Sequence, residues 1–597
     1  MTHETSPYSP LVWQDDGLPR SALYGDVYFS SADGLAETRA VFLAGCDLPI
    51  AWTGRERFTV AELGFGTGLN IAALLDLWRR EHRPGQRLHI FSIEAHPITR
   101  DEAARALAVW PELGEAAQVL LDHWPGPARG FHRIDLPGFD ATFDLAVMDV
   151  QEALAAWKGK ADAWFLDGFS PALNPAMWRE EILAAVGARS APGARAATFT
   201  VAGAVRRGLA AAGFQVDKRP GFGRKRERLE ARFPGETPAP QRARTLAIVG
   251  GGIAAAALAR SARAEGLEVT VVTDGVAMAS GNPAALVTPA LDAGGGPRAA
   301  FAAQAFARAT DLYRIETPQA VIARGVTRLA LTTRDLDRHA AIAAQDLFEP
   351  QAMSVLDAQA TGDLVGEPAL GALAMAQALV VEPSAVLDAW RGPTLTAAVA
   401  RIACDDGTWT LYDAEDHPLA QADAVVLAGG AGQDRLWPQA PLKPVRGQAS
   451  WTAAPSPPPV AFGGYAIPTR GGVLFGATHD RGETTSQVRQ ADDRRNLDIL
   501  AKGLPGLAAR LENLPLEGRA SVRATTADHL PLAGPAPEAS EGLFVLGGLG
   551  GRGFSLAPLL AEHVVAAIVG APSPLPAPLA RLVDPERFST VQPSRAL

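Results

Sequence analysis

Cysteine is almost missing: Cys46 and Cys404 are the only two among 597 residues, far apart and without metal-ligand spacing. That excludes a disulfide framework or a zinc ribbon as the organising device and fits a reducing cytoplasm. Long apolar runs are lacking as well. MTHETSPYSP contains no apolar signal core, and the run from Phe554 to Val569 is broken by Glu562 and His563, short of the roughly 18 apolar residues of a membrane span. A cytoplasmic protein that avoids membranes and holds no metal is expected. Excess positive charge is also absent. A formal charge of −10 argues against a generic polyanion binder, whose affinity rests on many phosphate contacts. No internal period points to a solenoid or propeller.

What is present is ordinary globular composition, 47% hydrophobic and 20% charged, in a chain too long for one core. Lys and Arg nevertheless cluster between Arg206 and Arg232, in RRGLAAAGF and KRPGFGRKRERLEAR. This cluster is either a docking face for an acidic partner or a solvated face balanced by Asp217, Glu227 and Glu230. From Pro234 the stretch PGETPAPQRAR is proline-rich and aperiodic, and an apolar strand pattern, TLAIVGGG, follows at once. The chain therefore divides into a domain over 1–233, a linker over 234–244 and a domain over 245–597. A second proline cluster, Pro455 to Pro459, lies between strand patterns and is expected to be a surface loop.

Before the linker, FTVAELGF, LNIAALLDLWRR, LHIFSIEA and AWFLDGFS alternate strand and helix patterns, the rhythm of a doubly wound parallel sheet. After it the rhythm returns once, in TLAIVGGG, IAAAALARSARAEG and LEVTVVTD. GTWTLYD, GGVLFGATHD and GLFVLGG then suit strands of a mixed or antiparallel sheet. The expected class is α/β throughout: a Rossmann-like first domain, then a dinucleotide-binding doubly wound domain carrying an inserted mixed-sheet substrate domain.

Two sets of residues carry chemistry. Glu62-Leu63-Gly64-Phe65-Gly66-Thr67-Gly68 ends a strand and opens a helix, so Gly64, Gly66 and Gly68 let backbone approach a ligand at a helix N-terminus. Glu94 ends the next strand, where a carboxylate can accept hydrogen bonds from both ribose hydroxyls. Asp149 could face an adenine amino group or be a plain loop aspartate. The strand in DAWFLDGFSP delivers Asp167 to the cleft side of the sheet, where it could take a proton from a reacting amine or simply cap a turn. In the second half, Gly250, Gly252 and Ala255 form a Gly-x-Gly-x-x-Gly/Ala turn, with Asp274 falling near the expected ~20 residues onward. A second glycine loop, Gly547 to Gly553 around Arg552, precedes an apolar helix and favours FAD over a nicotinamide.

GFGTG, the strand ending in Glu94, DAWFLDGFSPALNPAMW, VRRGLAAAGF, GFGRKRE and VYFSSADGLAETRAVFLAG closely resemble the family of bifunctional tRNA 5-methylaminomethyl-2-thiouridine biosynthesis proteins, over essentially the whole chain. The resemblance implies S-adenosylmethionine held by the Glu62–Gly68 loop, Glu94 and Asp149, with Asp167 the catalytic carboxylate. Leu173 departs from the lysine that relatives carry there. The second half also resembles the amino-acid oxidases that include glycine and D-amino-acid oxidases. This implies non-covalent FAD on Gly250, Gly252, Ala255, Asp274, Ser280, Asn282, Gly548, Gly550, Gly551, Arg552 and Gly553. It makes Arg523 the grip on a substrate carboxylate, with Arg446 and Arg552 as further substrate-binding candidates. For each arginine, a surface salt bridge is the plainer alternative.

Together these imply a monomer that acts on a modified tRNA wobble uridine. FAD-dependent oxidation would remove a carboxymethyl group, and methylation of the exposed amine would follow. Two rivals are a fused enzyme pair working on a small amine or amino acid, and a cofactor-holding RNA scaffold. Asp167 and Arg523 at motif positions speak against the scaffold.

Overall fold

The computed structural model describes residues 10–589 apart from 16, 31–32, 137, 224, 237–242 and 276–278. Arg224 of the basic cluster and most of the proline-rich linker thus fall outside the described residues. The chain separates into two compact units, Met1–Gln241 with Ala571–Ala577, and Arg242–Gly570 with Pro578–Leu597.

The first unit is built on an eight-stranded sheet in the order Gly130–Leu136, Ala141–Val147, Arg87–Glu94, Arg57–Leu63, Ala161–Leu166, Ser190–Thr198, Glu227–Arg232, Gln215–Pro220. The five strands from Ala141–Val147 to Ser190–Thr198 run parallel, and antiparallel strands close both edges. Helices cover both faces, which is why these strands are apolar in both parities. Phe58 and Val60 pack into one cluster with Ile71 and Leu74 of the helix Leu69–Glu81, while Ala61 and Leu63 pack into the other with Trp164 and Ile182. Leaving Arg57–Leu63, the chain pairs first with Arg87–Glu94 on one side and later with Ala161–Leu166 on the other. This reversal opens a crevice at the carboxyl ends of the three strands, the usual ligand position in such sheets.

In the second unit a six-stranded sheet runs Thr394–Thr396, Glu268–Thr273, Thr245–Val249, Ala424–Leu427, Leu543–Gly547, Leu532–Pro535, parallel except for the last pair. The helices Ile253–Ala264 and Gly553–Val569 pack on it. Between its strands in sequence comes a ten-stranded mixed sheet, in which the long strands Lys443–Thr452 and Glu517–Thr525 pair antiparallel over nine positions. One sequence expectation is corrected: GLFVLGG is no part of the mixed sheet but a parallel strand of the nucleotide sheet, Leu543–Gly547. A short apolar run buried on both faces carries no parity to distinguish the two settings. Cys404 lies in the strand Arg401–Asp405, directly before the strand Thr408–Tyr412. Among the described residues no helix is long and apolar enough to cross a membrane, and no cluster of His, Cys, Asp and Glu could hold a metal.

Candidate functional sites

In the first unit, Gly64, Gly66 and Gly68 all take positive φ (+88°, +52° and +75°), so the loop can turn from strand to helix without strain. Gly64 also packs closely on the loop that carries Asp167: a Cβ there would sit 3.1 Å from Gly168 Cα. Glu94 accepts hydrogen bonds from Gly66 N at 3.0 Å and His96 N at 2.9 Å, which sets its carboxylate on the glycine loop. Asp149 is exposed at the end of the next parallel strand and caps the helix Val150–Ala156 through Gln151 N at 2.8 Å. Asp167 follows the strand Ala161–Leu166, and burial pushes its carboxyl up to about 6. Tyr28 lies over the glycine loop, and Phe169 stands 5.3 Å from its ring centre.

Glu62 is a correction. The sequence places it at the donor, but it is fully buried beneath the loop, where Ser92 Oγ (2.6 Å) and Asn70 Nδ2 (3.0 Å) donate to its carboxyl. Burial pushes Glu62 up to about 8. Strand parity explains it: Glu62 shares a face with Val60, the face roofed by the helix Leu69–Glu81. Sequence reasoning missed Asn70, which also donates to Asp167, and Lys225. The Lys225 ammonium rests over the Phe199 ring and bonds Glu37 at 2.9 Å; both Lys225 and Glu37 act on the Asp167 charge.

In the second unit, Gly250 has φ +137° and its missing side chain lets the loop pass against Ala428 O. Ser280 Oγ accepts from Ile253 N at the helix start, beside Gly252, while Ala255 is wholly buried against the sheet. Asp274 is exposed just past the strand Glu268–Thr273. The two helix starts meet: a Cβ on Gly553 would lie 2.8 Å from the Ile253 side chain. Two helix N-termini with glycine loops at positive φ (Gly548, +69°; Gly550, +55°) bring the positive ends of two helix dipoles together, suited to a diphosphate. Beside Gly547, the buried Gln433 amide has no hydrogen-bond partner at either end, an orphan that a bound polar group would relieve.

Arg523 stands on the same sheet face as its register partner Val445 and as Gly447, which pairs with Ser521. Its guanidinium lies over Gly447, where any Cβ would collide with it, and beside Gly551 of the glycine loop. Arg519, two residues along that face, donates to Asn282 Oδ1 at 3.3 Å, and Arg552 donates to Pro289 O at 3.1 Å. Partial burial and the neighbouring Arg523 and Arg481 hold His479 below its ordinary value, and Tyr465 also faces Arg523. Arg446 is the second correction. It projects from the opposite face, fully buried, and donates to Asp492 Oδ2 (2.7 Å), Gln487 O (2.6 Å) and Gln448 Oε1 (3.2 Å). Its donors secure the helix Gln490–Gly503 to the sheet, not a ligand.

Residues 111–234 match the S-adenosyl-L-methionine-dependent methyltransferase family, and residues 245–567 match the FAD dependent oxidoreductases. Over 589 residues the chain is 73% identical to the tRNA 5-methylaminomethyl-2-thiouridine biosynthesis bifunctional protein of Caulobacter sp. strain K31, covering 98% of each. The chain belongs to this bifunctional family. The same name is carried by the Caulobacter vibrioides protein, 67% identical over 587 residues with 98% of each chain covered. That of Maricaulis maris is 41% identical over 595 residues, covering 98% of this chain and 97% of its own. The chain is accordingly a methyltransferase that uses S-adenosylmethionine fused to an FAD-dependent oxidoreductase. The methyltransferase match starts at 111, so the placement of Gly64, Asn70 and Glu94 rests on the geometry above. The acid-lined first cleft fits a cationic sulfonium donor; the paired helix starts fit FAD.

Proposed function

We propose that the protein acts on the wobble uridine of tRNA, removing the carboxymethyl group of 5-carboxymethylaminomethyl-2-thiouridine and then methylating the exposed amine to 5-methylaminomethyl-2-thiouridine. The observation that carries this is the pairing of an arginine-lined oxidase cleft with an acid-lined methyl-transfer cleft in one chain of the family, since the product of the first reaction is the nucleophile of the second. When bound, FAD supplies a two-electron acceptor and S-adenosylmethionine an electrophilic methyl group.

Arg523 would hold the substrate carboxylate by a bidentate pair, with Arg552 beside it, and so fix the carboxymethyl C–N bond for oxidation. Loss of two electrons and two protons, one from the carboxymethyl carbon and one from the nitrogen, leaves an imine, which water splits into glyoxylate and the aminomethyl base. Asp167 would orient that amine and take its proton, so that the nitrogen lone pair can attack the methyl carbon. Gly64, Gly66, Gly68, Glu94 and Asp149 would hold the methyl donor. Gly250, Gly252, Ala255, Asp274, Ser280, Asn282, Gly548, Gly550, Gly551 and Gly553 would hold FAD without a covalent link.

The domain limits we assign are 1–233 and 245–597, joined by the proline-rich segment. Both clefts are built from residues of one chain, which supports work as a monomer. The substrate and the absence of a membrane-crossing helix among the described residues support a cytoplasmic site of action.

The test is nucleoside mass spectrometry of tRNA carrying the carboxymethylaminomethyl base, incubated with the protein with and without S-adenosylmethionine. The aminomethyl base is expected without the donor and its methylated form with it. An unchanged carboxymethyl base in both, with glycine or sarcosine oxidised instead, would replace tRNA by a small amine as substrate.

A further inference from the structure

Asn70 is the second residue of the helix Leu69–Glu81, directly after the donor loop, and is buried. A single NH2 group there serves two carboxyl groups from different strands. Nδ2 donates to Asp167 Oδ2 at 2.8 Å and to Glu62 Oε1 at 3.0 Å, using both of its hydrogens. The other end of the amide is fixed as well, because Thr38 Oγ1 donates to Asn70 Oδ1 at 2.8 Å. Flipping the amide would turn its oxygen toward the Asp167 carboxylate and its NH2 toward the hydroxyl, losing the bond to Asp167 and forcing the hydroxyl to turn. Ser92 Oγ holds the far oxygen of Glu62 at 2.6 Å, so the chain Thr38, Asn70, Glu62, Ser92 is anchored at both ends. Asp167 is the one member that reaches the cleft.

We propose that Asn70 is the positioning residue of methyl transfer, its amide wedged between Asp167 and Glu62 and oriented by Thr38 so that the Asp167 carboxylate faces the reacting amine. The inference rests on the methyltransferase reading of the first cleft. Asn70 does not touch the substrate. It acts on Asp167 by fixing its rotamer and by favouring its ionised form, which a hydrogen-bond donor stabilises. The buried Glu62 serves as the second post that keeps the amide from turning.

The test uses the full chain and tRNA carrying the aminomethyl base. In Asn70→Ala, kcat of methylation at neutral pH is expected to fall roughly 10- to 100-fold, the loss typical of a hydrogen bond to a charged group. The KM for S-adenosylmethionine should stay within about twofold, and the acidic limb of the pH profile should move up by about one unit. Thr38→Val should shift kcat and the limb the same way by less, whereas Thr38→Ser, which keeps the hydroxyl, restores both. Flavin-dependent oxidation by the same proteins reports that each chain is folded. A kcat and pH limb unchanged in both Asn70→Ala and Thr38→Val would overturn the proposal. Crystal structures of wild type and Asn70→Ala supply a readout independent of turnover: an Asp167 carboxylate left in place also overturns it. A wild-type protein unable to methylate the aminomethyl base would defeat the functional reading alone, with the Asp167 rotamer still deciding the role of Asn70.

Discussion

The two clefts are electrostatic opposites. The first sets Asp167, Glu94 and Glu37 around a glycine loop, with Lys225 bonded to Glu37. The second gathers Arg523, Arg519 and Arg552 around its glycine-rich turns, with Arg328 an electrostatic neighbour of Arg552 and His479 held below its ordinary value by burial and by Arg523 and Arg481. An acid-lined site welcomes an ammonium and repels a carboxylate; an arginine-lined site does the reverse. The carboxymethylaminomethyl base bears a carboxylate that the first cleft disfavours and the second requires. Once the carboxylate has left, the remaining amine suits the first cleft. Charge alone thus orders oxidation before methylation, with no need for a gate.

The strongest way to break this comparison is Asp167→Asn, which keeps shape and removes the proton acceptor. Methylation is expected to drop by about 10²- to 10⁴-fold, the usual contribution of general base catalysis, while aminomethyl base accumulates in the presence of S-adenosylmethionine. Equal loss of both activities would mean that the clefts are not independent. Next in size is Arg523→Ala. Truncating one partner of a desolvated charge pair costs ~2–5 kcal/mol, so oxidation of the carboxymethyl base should fall at least about 30-fold in kcat/KM. Methylation of aminomethyl tRNA should be untouched, and Arg523→Lys should recover little because one ammonium cannot pair both carboxylate oxygens.

The pH dependence sharpens the contrast further. Asp167 must be ionised to accept a proton, and burial raises it to about 6. Methylation should therefore decline below that pH, approaching about tenfold per unit, and level off above it. Oxidation should lack this limb, since the arginines that bind its substrate stay charged throughout. A shared limb would assign the titration to tRNA binding instead.

These same residues mark how far the sequence could be read. The glycine loops and Asp167 were legible because each follows a strand pattern, Glu94 because it ends one and Arg523 because it sits at a motif position, within the strand Glu517–Thr525, and the parallel strands were legible from their apolar runs. Glu62 and Arg446 were misplaced for one reason: a strand sends successive side chains to opposite faces, and which face is the cleft depends on register with partners far away in sequence. Arg446 pairs with Val522, so the neighbouring Arg523 must emerge on the other side. Asn70 left no signal of its own. Its role arises only because a helix roofs the sheet face from which Glu62 points, with Asp167 at the next strand end.

The smallest effect concerns the basic cluster. Three of its cations have acid partners on the edge hairpin: Lys218 pairs across it with Glu227 at 2.7 Å, while Arg228 pairs with Glu230 at 2.6 Å and Arg219 with Asp217 at 3.4 Å, each along one strand. Pairs of this kind contribute about 0–1 kcal/mol each, and with nine cations against three acids between Arg206 and Arg232 the segment keeps a net positive charge. Arg206, Arg207 and Arg226 are exposed on the same segment. Freeing Lys218 by Glu227→Gln should tighten tRNA binding only about twofold and steepen the salt dependence by at most about one phosphate contact. A larger gain would show that the hairpin lies against the tRNA backbone and that its acids hold affinity down. No change would put the docking face elsewhere, and leave discrimination between the two substrates to the opposite charges inside the clefts.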